Sequence, residues 1–178
     1  MKRYLLLCFL LIMTVTLCAC GQKDSESAPE VSGTPVAAEE KAETTTTIEI
    51  APPDGWTKME ESVLPVHYMK GTASFMAKAE PFAGTTLDEV VEEALAMYQK
   101  SFDNLEVQGE VEEIKVDEKD ARKLTFTCSI SGMDMKYVYV YVFVGEETYA
   151  ITFGDQASTF DSIAADYETI LSNIHFEE

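Results

Sequence analysis

The sequence lacks the short motifs that mark the common catalytic and metal sites. Its 178 residues contain no G-x-S-x-G, H-E-x-x-H, Walker glycine loop or EF-hand loop. It has two histidines, His67 and His175, which stand alone in the sequence. We therefore expect a non-enzymatic protein that carries no cofactor.

Basic residues are also scarce. The chain has 13 lysines and arginines against 32 acidic residues, a formal net charge of −19. Nucleic-acid binding needs cationic groups that displace condensed counterions, so this composition argues against a nucleic-acid partner. It argues equally against adhesion to anionic lipid head groups, and predicts a soluble, self-repelling surface.

A hydrophobic run long enough to span a bilayer is missing too. The uncharged run 4–17 falls short of the roughly 20 residues that a spanning helix needs. It follows Lys2 and Arg3 and ends in small residues, an arrangement typical of a secretory signal peptide, here residues 1–19.

The end of this run, Leu17-Cys18-Ala19-Cys20, resembles the lipobox of bacterial lipoproteins. The resemblance implies cleavage before Cys20 and a diacylglyceryl group on its sulfur, which anchors the protein at the extracytoplasmic face of the cell membrane. Two or three acyl chains are enough for stable anchoring. An uncleaved N-terminal helix and a plain signal peptide remain the alternatives.

Cysteines available for a disulfide are lacking in the mature chain. Cys8 and Cys18 leave with the signal peptide and Cys20 is lipidated, so Cys128 remains by itself. The fold must then rest on its hydrophobic core. Cys128 alternates with apolar residues, which predicts a small buried side chain and not a reactive thiol.

Aromatic residues are absent from residues 21–47, which also contain few large aliphatic ones. Such a segment cannot bury enough apolar surface to offset the entropy of ordering it. We therefore interpret residues 20–47 as a disordered tether, followed by one domain over residues 48–178.

The domain reads as strands, one helix, more strands and a final helix. Residues 85–102 have apolar residues at helical spacing, and Thr86 with Glu89 forms a capping box. Residues 159–174 form the second helix, with Ser158 or Thr159 as its N-cap. Period-two segments joined by short turns predict an antiparallel sheet, so the fold class is α+β with two main helices flanking the sheet.

The order of these elements resembles the PsbP-like domain, the fold of an extrinsic photosystem II protein and of many small bacterial lipoproteins. The residues that carry the resemblance are Asp54-Gly55-Trp56, the hairpin 116–126 and the terminal stretch 171–176. It covers residues 48–178. It implies an antiparallel sheet flanked by helices and a binding or assembly role, and it carries over no functional residues.

The stretch 137–144, YVYVYVFV, is the candidate site. Tyr137, Tyr139, Tyr141 and Phe143 share one face, and four valines share the other. A strand that is apolar on both sides is usually central and covered on both sides. The aromatic row is then core, or, where part of it is open, a groove suited to a peptide, sugar or lipid.

Three weaker candidates have ordinary structural interpretations. His67 and His175 could form a metal site with a carboxylate, although surface histidines are the simpler reading. Met133 and Met135 near a hairpin tip suit cuprous copper but are typical turn residues. The acidic clusters 88–93 and 110–113 could attract a cation or a basic partner, with a solvated surface as the default.

Taken together, the sequence predicts a membrane-anchored, extracytoplasmic binding or assembly module with an unidentified protein or small-molecule partner. An enzyme with a site built from scattered residues, and a purely structural envelope protein, are the alternatives.

Overall fold

The computed structural model describes residues 46–177. The predicted signal peptide, Cys20 and nearly all of the predicted tether lie outside the described residues. Among residues 46–177, no helix is long and apolar enough to cross a membrane.

The described chain forms ten strands, two α-helices and one short 3-10 helix. The strands are β1 Thr47–Glu49, β2 Thr57–Lys58, β3 Val66–Lys70, β4 Ala73–Glu80, β5 Asp103–Val107, β6 Glu112–Val116, β7 Lys119–Ile130, β8 Met133–Val144, β9 Glu147–Gln156 and β10 His175–Glu177. The helices are α1 Leu87–Ser101, the 3-10 helix Phe160–Ser162 and α2 Ala164–Ser172.

Eight strands build one antiparallel sheet in the order β2-β3-β4-β9-β8-β7-β5, and β6 pairs with the other end of β7. Strands β6 to β9 form the expected meander because each follows the last through a short connection. The α+β class, with an antiparallel sheet between two helices, is confirmed.

Helix α1 packs on one side of the sheet. Thr86 is its N-cap, and its hydroxyl and the Glu89 side chain make the reciprocal bonds of the predicted capping box. Leu87, Val90, Val91 and Ala94 are buried against β7 and β8. Met97, further along the same helix, is 44% exposed.

The final helix differs from the prediction. Phe160–Ser162 is a 3-10 turn, and α2 begins only at Ala164 with no side-chain cap. The Thr159 hydroxyl donates to Asp155 at 2.7 Å and accepts no N–H from the turn that follows it. Tyr167, Ile170 and Leu171 of α2 pack on the valine side of the sheet.

A two-stranded ribbon that the sequence did not predict joins the two ends of the domain. Strand β10 pairs antiparallel with β1, with Ile48 opposite Phe176. The carboxylate of Asp117, in the β6–β7 turn, accepts the Phe176 N–H at 2.9 Å and holds His175 Nδ1 at 3.0 Å. These bonds hold the C-terminal strand against the main sheet.

Candidate functional site

The aromatic row of β8 lies on the α1 side of the sheet, and its members differ in burial. Tyr141 is fully buried, whereas Tyr137, Tyr139 and Phe143 are half-buried. The valines of the opposite side are all buried in the α2 core. The row is thus fully buried at Tyr141 and partly exposed at its other three members. This is intermediate between the buried core and the open groove that the sequence allowed.

Helix α1 covers the row through Tyr98. The Tyr98 and Tyr141 hydroxyls are 2.9 Å apart, and the Tyr98 ring lies 4.9 Å from that of Tyr139. Burial raises the pKa of Tyr98 and of Tyr141 far above the ordinary tyrosine value, and the neighbouring phenols add to the effect at Tyr98. Both hydroxyls therefore stay protonated and act as a hydrogen-bonded pair.

The pKa of Tyr139 is also raised, but by less than the pKa values of Tyr98 and Tyr141. Burial raises the pKa of its phenol to about 12, while a hydrogen bond with Thr152 lowers it. A general acid or base works best with a pKa near the operating pH, and the pKa values of these tyrosines are shifted further away from neutral pH. The phenols can donate and accept hydrogen bonds, but they are poorly suited to proton transfer at neutral pH.

Tyr137 stands at the edge of the covered region. It pairs with Gly154 of β9, and its ring lies directly over that glycine, where a Cβ atom would overlap the ring carbons. Phe102, just after α1, stacks on Tyr137 with centroids 6.2 Å apart. Gly154 and Phe102 therefore hold the Tyr137 ring in place. The ring lies at the boundary between the strands that α1 covers and the strands that it does not cover.

The sheet beyond Tyr137 is much less covered on this side. Side chains of β3 and β4 that point toward the α2 core are buried: Val66, Ala73, Phe75 and Ala77. Those that point to the α1 side are half-buried, because α1 lies over β5, β7 and β8. We define the open face as these half-exposed side chains together with the tyrosine: His67, Met69, Ser74, Met76 and Tyr137.

The open face is bordered, at the end where β3 begins, by an ion pair and by the loop that precedes β3. Lys78 and Glu80 on β4 are 3.0 Å apart, and Glu80 lies near enough to the phenols to raise the pKa values of Tyr98, Tyr139 and Tyr141. His67 Nδ1 lies 2.9 Å from the Ser62 hydroxyl in the loop before β3. The surface thus mixes apolar and polar side chains: Ser74 lies opposite Met69, and His67 lies opposite Met76.

The acidic clusters are largely occupied by local bonds. Glu89 accepts from Thr85 and Thr86, which lowers its pKa, and Glu93 accepts the Ala83 and Gly84 N–H groups. Asp88 pairs with Arg122 at 2.6 Å. Glu112 and Glu113 pair with Lys123 and Arg122. These carboxylates serve as caps and ion-pair partners of the fold.

The remaining sequence candidates are not brought together. His67 bonds Ser62 and His175 bonds Asp117, each in its own place. Cys128 is a free thiol that is 2% exposed, and burial raises its pKa. Met133 is 52% exposed at the β7–β8 turn. Within residues 46–177, no group of three or more His, Cys, Asp or Glu side chains could hold a metal ion.

Two features of the site escaped the sequence-based reasoning. Gly154 looked like an ordinary strand residue, and its role depends on a pairing with Tyr137 that no local pattern reveals. The hydrogen bond between the Tyr98 and Tyr141 hydroxyls depends on packing between segments that are distant in the sequence.

Comparison with solved structures identifies the fold. LpqN of Mycobacterium tuberculosis, a protein involved in cell envelope biogenesis, superposes with a TM-score of 0.62 at 13% identity, over 78% of this chain and 88% of that one. PsbP of the cyanobacterium Synechocystis (CyanoP) gives a TM-score of 0.51 at 12% identity, over 74% and 87% of the two chains.

A Pseudomonas aeruginosa protein of unknown function gives a TM-score of 0.53 at 15% identity, over 72% of this chain and 82% of that one. No family model matches the sequence, and no curated protein matches it. The described domain therefore has a PsbP-like fold, as the resemblance in the sequence implied.

Proposed function

We propose that this protein is a lipid-anchored, extracytoplasmic module that binds a partner non-enzymatically in the cell envelope. Two observations support the proposal: the lipobox-like sequence ending at Cys20 and the fold shared with the envelope-biogenesis protein LpqN.

The open face is the proposed binding surface, and its uneven cover is the observation that carries the proposal. Strands β2, β3 and β4 lie side by side next to β9, whose side chains on this side are buried, and at a spacing of about 4.8 Å they present a platform roughly 10 to 15 Å wide. A platform of this width accommodates one helix or an extended segment of a partner, next to α1.

The side chains of the open face suit such contacts. Met69 and Met76 are adaptable apolar groups, and thioethers pack well against aromatic rings. Tyr137 supplies a large rigid ring held in place by Gly154 and Phe102. Ser74, opposite Met69, and His67, opposite Met76, add hydrogen-bonding groups.

Photo-crosslinking in intact cells tests the proposal. A photoreactive residue at Met76, on the open face, should give one defined adduct in the envelope fraction. The same residue at Glu92, an exposed position on α1, serves as the control and should not give it. Identical adducts from both positions, or none from Met76, would contradict the proposed binding surface.

A further inference from the structure

The β3–β4 hairpin brings one imidazole and two thioether side chains together on the open face. Tyr68 and Phe75 lie opposite each other across the hairpin, and both pack in the α2 core. Successive side chains of a strand point to opposite sides of the sheet, so the residues next to these two point to the open side. They include His67, Met69 and Met76, all of them half-buried.

The pairing of the two strands places these three side chains within reach of a single ion. The His67 carbonyl accepts the Met59 N–H at 2.9 Å on the β2 side of β3, so the opposed residues His67 and Met76 form a non-hydrogen-bonded pair of the β3–β4 ladder. Such pairs have Cα atoms about 4.5 Å apart and bring their side chains closest. Met69 is the diagonal neighbour of Met76, at about 7–8 Å, a distance that long side chains span.

A hydrogen bond orients the imidazole. His67 Nδ1 lies 2.9 Å from the Ser62 hydroxyl, which also accepts the Leu64 N–H at 3.2 Å. The Ser62 N–H in turn donates to the Met59 carbonyl at 3.1 Å, so the loop before β3 is folded back against the ring. Histidines that bind metals typically donate one ring N–H to such a partner, which fixes the ring and its tautomer. With the Nδ1 proton donated to Ser62, the Nε2 lone pair is left for an ion.

The donor atoms of this cluster select a soft ion. Thioether sulfurs favour Cu⁺ over hard cations, and imidazole suits copper as well. The cluster contains no carboxylate or thiolate, and in the described part of the chain no group of three or more His, Cys, Asp or Glu side chains could hold a harder metal. The charged residues that follow on this side of β4, Lys78 and Glu80, are paired with each other at 3.0 Å.

From this arrangement we propose that the open face binds one Cu⁺ ion through His67 Nε2 and the sulfurs of Met69 and Met76. The half-buried side chains are accessible to an ion from solution, and the sheet shields the ion on one side. The ion binds to this chain alone. The site therefore does not rest on the partner that the proposed function invokes, and either proposal can fail without the other.

Methionine methyl NMR tests the site residue by residue. The probe is Cu⁺, added anaerobically with ascorbate to the full chain in non-ionic detergent. Three cysteines outside the described residues are replaced so that their thiols do not compete: Cys8→Ser, Cys18→Ser and Cys20→Ser. The ε-methyl signals of Met69 and Met76 should shift and saturate at one equivalent of Cu⁺. Those of Met97 and Met133, both exposed, should not move.

Two outcomes of the titration would overturn the proposal. One is the absence of a saturable shift at Met69 or at Met76. The other is a shift of equal size at Met97 and Met133, because it would mean that the ion binds every accessible thioether and that the hairpin holds no specific site.

Three variants of the same chain assign the ligands. Met69→Leu and Met76→Leu remove a sulfur at nearly constant volume, and His67→Gln keeps a hydrogen-bonding group near Ser62 but has no ring nitrogen. Each should weaken Cu⁺ binding by at least about tenfold in competition with bicinchoninate, since even the loss of an outer partner costs that much in metal sites. Met97→Leu, at the exposed methionine of α1, is the matched control and should bind as the parent chain does. Unchanged affinity in any of the three variants, or an equal loss in Met97→Leu, would contradict the assignment.

Discussion

The ring of Tyr137 lies over Gly154, its partner across the β8–β9 ladder, and occupies the space that any side chain at 154 would need. Gly154 is therefore what allows Tyr137 to lie on the sheet instead of standing away from it. This contact fixes the aromatic edge of the open face. The lack of a side chain at Gly154 in β9 thus determines where the Tyr137 ring of β8 lies on the proposed binding surface.

Substitution of Gly154 by alanine should displace the Tyr137 ring and destabilise the domain. Overpacking of a tight site typically costs about 1–3 kcal/mol. The measurement is denaturant unfolding of Gly154→Ala in the wild-type and in the Tyr137→Ala background. The cost should largely disappear when the ring is absent, because the two effects share one contact. If the unfolding free-energy costs of the two substitutions simply add in the double mutant, the Tyr137 ring is not the reason that position 154 requires glycine.

Asp117 should stabilise the C-terminal strand in a pH-dependent way. The Phe176 N–H and then His175 hold its pKa below the ordinary aspartate value of about 3.9. A lowered pKa in the folded state means that the contribution is complete above about pH 4 and is lost as the pH falls through the folded value. Asp117→Asn should cost about 1.5 kcal/mol at pH 7, because a charged acceptor is removed.

The unfolding free energies of wild type and Asp117→Asn should converge as the pH is lowered toward 2. Asparagine tolerates the positive φ of 49° at this position, so backbone strain does not confuse the comparison. Asp120→Asn, on the same hairpin and paired only at the surface with Lys115, is the control and should cost little. A pH-independent gap for Asp117→Asn would contradict the proposed charge effect.

Asp166 should hold the loop before β2 through the single tryptophan of the chain. Its carboxylate accepts the Trp56 indole N–H at 3.0 Å and pairs with Lys70. Asp166→Ala leaves the indole N–H of a nearly buried ring without a partner, and we expect a loss of about 1–3 kcal/mol with a shift in tryptophan emission. Lys70→Met keeps the indole bond and should leave the emission unchanged; the same shift in both variants would argue against a specific role of the indole bond.

Cys20 should decide where the protein resides. Cys20→Ala removes the predicted lipidation site, and the protein should then be released from membranes or remain unprocessed. Cell fractionation and the mass of the N-terminal peptide measure this directly. Cys18→Ala is the neighbouring control and should be processed normally. Unchanged processing and retention of Cys20→Ala would exclude the lipid anchor.

Local patterns predicted the parts of the fold that depend on local physics. The capping box of Thr86 and Glu89 was confirmed because both residues belong to one helical turn. The first strand of the β1–β10 ribbon was predicted as a short strand, but its pairing with β10 was missed because it joins opposite ends of the domain.

The same distinction applies to the candidate site. The alternation in 137–144 predicted which side chains share a face, and the structure agrees. It could not predict how far α1 extends over that face, since this depends on the position of the whole helix.

The most direct test of the central claim asks whether binding depends on the open face itself. A photoreactive residue at Thr57, which pairs with Met69 at the border of the open face, reports adduct formation in intact cells. Met76→Arg places a long charged side chain in the middle of the face, whereas Met97→Arg does the same at an exposed methionine on α1. The proposal predicts that the adduct is lost in Met76→Arg and kept in Met97→Arg at equal protein levels. An adduct that persists in Met76→Arg would contradict the assignment of the open face as the binding surface.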